Sequence, residues 1–126
     1  MNSTQLFALL TSESWLAPHA LEEDGHAPAE LGDAAFEYLL KFCELNRNRL
    51  VDRIDAERSG ERTPTLIYRI TRLLLARWEA SKDFRFINTL FKFRAKKYFD
   101  KLPGDPASAR LMARLNDTFS RVLKHD

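Results

Sequence analysis

The chain has 126 residues, 44% hydrophobic and 30% charged, with 5 Pro and 4 Gly. That composition excludes a disordered tail, a collagen-like repeat and a disulfide scaffold, and it fits one domain able to bury its own core. Net charge is +2, from 20 Lys and Arg against 18 Asp and Glu, but the distribution is uneven. Met1 to Asp33 holds Glu13, Glu22, Glu23, Asp24, Glu30 and Asp33 with no Lys or Arg, so the remainder has 20 bases against 12 acids, or +8. The asymmetry divides the chain into an acidic N-terminal arm over 1–32, with a short helix and a loop, and a helical bundle core over 33–126.

The first helix is expected from Thr4 to about Leu16, where Leu6, Phe7, Leu9 and Leu10 share a broad face. Pro18 and the EEDGHAP stretch then mark an extended loop. Asp33 follows Gly32 and opens a long periodic run to about Glu57, reading as an N-cap, with Ser59 and Gly60 closing the helix. This second helix is apolar on two sides. Phe36, Leu39, Leu40, Cys43, Leu50, Val51 and Ile54 form one stripe and Tyr38, Phe42 and Leu45 another, which predicts a central position. Thr63-Pro64 is an N-cap followed by proline at the first helical position, starting a helix to about Ala80. Ser81 and Asp83 separate it from a fourth helix running from Asp83 to Leu102 and ending at Pro103-Gly104. Asp105-Pro106 repeats the cap-plus-proline signature and opens a last helix to about Lys124. There Leu111, Met112, Leu115, Phe119, Val122 and Leu123 face one way, and Arg110, Arg114, Asp117, Arg121 and Lys124 the other. Nothing alternates with a strand period. The expected fold is all-α: an antiparallel bundle of four principal helices plus a short N-terminal helix.

No apolar run approaches the ~20 residues that span a bilayer, and MNSTQLFALLTSESW carries no basic residue before its apolar patch. The expected setting is therefore cytoplasmic, with no membrane partner. Cys43 is the one cysteine and falls on the core stripe, where a thiol behaves as a small hydrophobe. His19, Glu22, Glu23, Asp24 and His26 cluster in the loop, but no helical His-x-x-x-His or cysteine pair accompanies them, so a solvated acidic loop without metal is expected. No phosphate-cradling loop, nucleophile elbow or dinucleotide fingerprint occurs, and no cofactor is implied.

Two constellations carry chemistry. The stretch FRFINTLFKFRAKKYF from Phe84 to Phe99 has five positive residues and no acid. Arg85, Lys92 and Lys96 align on one side, flanked by Phe86 and Phe93. Such a face would steer an acidic protein by charge and hold it through partly exposed aromatic anchors. Single-stranded nucleic acid could use the same features, although no nucleic-acid motif supports it. The acidic arm of a second copy is a third candidate, giving a homodimer. The second constellation is Arg47, Arg77 and Arg94, each inside an apolar stripe. Burying an unpaired guanidinium is costly, so each needs an acid, a path to water, or a shared anion held by its planar fork. The leading expectation is a non-catalytic interaction module binding an acidic macromolecule. The alternative is a small all-α enzyme or binding protein in which the three arginines grip an anionic small molecule, with Glu44 or Tyr98 as proton donor or acceptor.

Overall fold

The structure is a computed structural model that describes residues 2–11, 32–57 and 63–124. Among these residues every regular element is helical: α1 (Ser3–Leu10), α2 (Asp33–Leu45), α3 (Leu50–Glu57), α4 (Thr63–Ser81), α5 (Phe84–Ala95), a 3-10 turn (Tyr98–Lys101) and α6 (Pro106–Lys124). None of the described helices is long and apolar enough to cross a membrane. The acidic loop with its His19-to-His26 cluster and the Ser59-Gly60 stop lie outside the described residues.

The centre of the fold is α4, not the helix that opens at Asp33. From Leu66 to Ala76 every residue of α4 is buried, and the helix touches each of the other elements. The cause is a helix that is apolar all round, which has to be enclosed. Its two mid-helix charges conceal that pattern, since Arg69 and Arg72 are each only 3% exposed. Arg69 extends to α1 and donates from Nη1 to the Leu10 carbonyl at 2.6 Å. A cation there answers both an orphan carbonyl and the negative end of the α1 dipole.

Local chemistry sets the ends of the elements. Asn2 and Gln5 form a reciprocal capping box on α1, and Thr11 ends that helix by returning its hydroxyl to the Phe7 carbonyl at 2.8 Å. The helix α1 thus ends at Leu10, and the rest of the expected helix, 12–16, lies outside the described residues. Leu6, Phe7 and Leu10 are fully buried, so α1 lies in the core it shares with α2 and α4. Phe7 meets Phe42 edge-on at 5.6 Å, which explains the second apolar stripe of α2 at that position, while Leu45 stays 74% exposed.

The expected helix from Asp33 to Glu57 is two helices. Its cap is Gly32, with no side-chain cap bond, and Asp33 pairs instead with Arg77 of α4. The break falls at 46–49, where Asn46 donates its side-chain amide to the Phe42 carbonyl at 2.8 Å and terminates α2. A polar Asn-Arg-Asn-Arg run offers nothing to bury there, and side-chain bonding to the backbone competes with the helix. α5 likewise ends at Ala95 rather than Leu102. Lys97 turns left-handed at φ 60° and donates its N–H to the Arg94 carbonyl at 3.0 Å, a helix-ending geometry. The turn that follows swings Tyr98 into the core.

Two sequence signatures form as expected. Asp83 caps α5 through the Arg85 N–H at 3.0 Å. Asp105 accepts the Ser108 N–H at 2.8 Å with Pro106 opening α6, and that bond holds the Asp105 carboxyl below the usual carboxylate range. Leu111, Leu115 and Phe119 of α6 face the core, as the periodicity predicts. Cys43 is fully buried, and burial pushes its thiol far above the usual range, which makes it a packing residue rather than a nucleophile.

Candidate anion-binding groove

The basic-aromatic helix α5 divides its residues differently from the sequence expectation. Phe86 is 2% and Phe93 1% exposed, so neither is a surface anchor. Phe86 meets Phe36 edge-on at 6.4 Å, and Phe93 meets Tyr98 at 5.5 Å. Phenylalanines flanking a basic row on a two-turn spacing lie toward the core, because the apolar face of α5 is the face that packs on α2 and α4.

Arg85 is not an unengaged steering charge either. Its guanidinium makes a two-pronged bond to Glu37, Nη1 to Oε2 at 2.9 Å and Nη2 to Oε1 at 2.7 Å. It also bonds Asp83, with Nη2 to Oδ2 at 2.7 Å. The Arg85 hydrogen bonds hold both carboxyls below their ordinary range and raise the arginine's own affinity for its proton. This cluster closes the corner between α2 and α5.

The three arginines of the apolar stripes meet different partners. Arg77 pairs with Asp33 and lies over the Phe36 ring at 4.8 Å. Arg94 lies over Phe119 at 5.4 Å, capping the aromatic group that Phe119 forms with Phe91 and Phe99. Both placements run an apolar stem along the core edge and keep the cation on an aromatic face. Arg47 is exposed at the α2–α3 corner.

There Arg47 joins part of the other constellation. Arg47, Asn48, Lys92, Ala95 and Lys96 line one groove of about 270 Å³ between the corner and the last turn of α5. No acid lines it, and none pairs with Arg47, Lys92 or Lys96 among the described residues. Tyr98 fixes the geometry from beneath: its buried hydroxyl donates to the Arg47 carbonyl at 2.6 Å and accepts the Leu50 N–H at 3.3 Å. The Tyr98 hydroxyl is thereby committed to the backbone rather than to the proton transfer that the sequence alternative expects, while Glu44 is exposed on α2 and does not line the groove.

Cations at two helix C-termini also offset helix dipoles, and the magnitudes decide how much charge is left over. Each C-terminus carries the equivalent of roughly −0.5 charge. The ends of α2 and α5 together therefore cancel about one of three positive charges, and a clear positive excess stays available to an anion. Sequence periodicity could group Lys92 with Lys96 but not bring in Arg47, because that contact depends on the break of α2 at Asn46. Comparison with protein-family models, curated proteins and solved structures gives no match.

Proposed function

We propose that this protein is a binding module that docks an acidic segment of a protein partner in the groove formed by Arg47, Lys92 and Lys96, on an antiparallel helical frame built around α4 and α5. The observation that carries the reading is the absence of any acidic counterpart to these three cations among the described residues, whereas Arg77, Arg85, Arg114 and Arg121 are all paired. Charges left unpaired side by side repel one another, and an incoming carboxylate relieves that repulsion while gaining charge-assisted hydrogen bonds. The groove has no aromatic platform in its lining, and this favours carboxylates over the stacked bases of single-stranded nucleic acid.

The test is fluorescence anisotropy with a labelled peptide of alternating Glu and Leu, at low and at physiological salt, against the wild type and a triple variant, Arg47→Glu with Lys92→Glu and Lys96→Glu. Binding to the wild type that weakens with salt and falls at least tenfold in the variant supports the reading. Equal affinity for the two proteins overturns it. Tighter binding of labelled oligothymidylate than of the peptide, lost in the same variant, replaces the partner with nucleic acid.

A further inference from the structure

At the opposite end of α5 a second groove of about 380 Å³ opens between the α4–α5 corner and α6. Its floor is aromatic. Trp78 is 7% exposed, and the Phe84 ring stands 5.2 Å from it at an angle of 59°. Phe84 is itself 58% exposed, and Val122 of α6 supplies the facing apolar wall. Rings in contact at that distance leave no gap between them, and together they form one continuous apolar floor on which a flat body can rest, against Phe84 and the exposed part of Trp78. The volume is near the lower end of the few hundred to ~1,000 Å³ typical of small-molecule sites, suited to one or two fused rings.

The rim adds a sign. Lys82 Nζ lies 5.3 Å from the centre of the Trp78 ring, and no acid pairs with it among the described residues. Lys82 stands in the tight turn from α4 into α5, where its backbone is left-handed at φ 56°. The other charged lining groups are already engaged: Glu79 with Arg114 of α6, and Arg121 with Asp117 at 3.0 Å. Lys82 is the cation there with no carboxylate of its own, held directly over the aromatic floor.

We propose that this groove is a binding site for a small aromatic carboxylate, its ring resting on the Trp78–Phe84 floor against Val122 and its carboxylate on the Lys82 ammonium. The site is independent of the basic groove, which is lined from the other end of α5.

The probe is 2-naphthoate, with neutral 2-naphthalenemethanol as its uncharged counterpart, titrated into 15N-labelled full-length protein and followed by 1H–15N correlation spectra. The expected result is a saturable shift of the Trp78 indole N–H and of the Lys82 and Phe84 amides, with at least fivefold weaker binding of the alcohol. Lys82→Gln brings naphthoate down to the alcohol's affinity, and Phe84→Ala, an exposed position that leaves the core intact, weakens both at least tenfold. The triple charge reversal at Arg47, Lys92 and Lys96 leaves the titration unchanged, so this site and the basic groove stand or fall separately. Equal affinity for naphthoate and the alcohol, wild-type affinity in Lys82→Gln, or shifts confined to the Lys92 and Lys96 region each overturn the proposal.

Discussion

The Tyr98 hydroxyl donates to the backbone carbonyl of Arg47 at 2.6 Å, joining residues 51 apart in sequence. The same oxygen receives the Leu50 N–H, so one phenol satisfies a carbonyl and an N–H at the corner where α2 ends and α3 begins. Tyr98→Phe removes the oxygen without changing the ring's packing on Phe93. The expected cost is about 1–3 kcal/mol, that of leaving buried backbone groups unsatisfied, read as a shift in the urea midpoint at constant slope. Tyr98 is a positioning residue for the groove. The acidic peptide should bind Tyr98→Phe several-fold more weakly, and adding Arg47→Ala to that variant should lower affinity by less than it does in the wild type. Fully additive losses would separate Tyr98 from the groove.

The Arg85 cluster predicts a pH dependence. Glu37 and Asp83 have their carboxyl pKa values lowered in the folded state, first by hydrogen bonding to Arg85. The unfolded chain therefore takes up protons first on acidification. The stabilisation is complete above the ordinary carboxylate range of about pH 4, and it is lost as pH falls through the lowered values. Arg85→Gln removes the cause. The urea midpoints of wild type and variant should differ at pH 7 and converge as the pH falls below the lowered values of both carboxyls. A gap that persists unchanged into acid would assign the stabilisation to packing of the arginine stem.

Arg69 is the buried charge whose removal should separate α1 from the rest. Arg69→Met keeps much of the stem volume but leaves the Leu10 carbonyl without the 2.6 Å donor. Loss of a charged hydrogen bond in the core is expected to cost about 1.5–3 kcal/mol. Amide exchange should accelerate first in α1, because Leu6, Phe7 and Leu10 would lose the tie between their helix and α4. Exchange that accelerates evenly over α1 and α6 would show that Arg69 stabilises the whole core instead.

These relationships mark where the sequence was readable. The caps at Asp83 and Asp105 and the apolar face of α6 are local, set by residues within one turn, and the structure forms them. The centrality of α4 is hidden in the sequence because Arg69 and Arg72 interrupt its apolar positions, and their burial depends on elements distant in the chain. Phe86 and Phe93 are buried for a related reason: a basic row and its flanking aromatics share a helix, but which of them meets water is decided by the neighbours. Arg47 came into the groove only through the break at Asn46. A run of four polar residues at 46–49, unsuited to the middle of a core helix, was the available signal for that break.

Lys97 supplies a prediction independent of any ligand. It adopts a left-handed conformation at φ 60°, where a side chain crowds the following carbonyl at a cost of roughly 1 kcal/mol, while glycine is free of that crowding. The residue sits just past the C-cap of α5, the position glycine most often takes. Lys97 is exposed and does not line the basic groove. Lys97→Gly should therefore stabilise the protein by up to about 0.5 kcal/mol once the roughly 0.4–1 kcal/mol entropic cost of glycine is subtracted, a rise in Tm of about 2–3 °C at most. Acidic-peptide binding should change little, by no more than loss of one screened neighbouring charge. A destabilised variant would mean that the lysine side chain contributes more to ending α5 than its backbone strain costs, through the favourable placement of a cation beside the helix carbonyls.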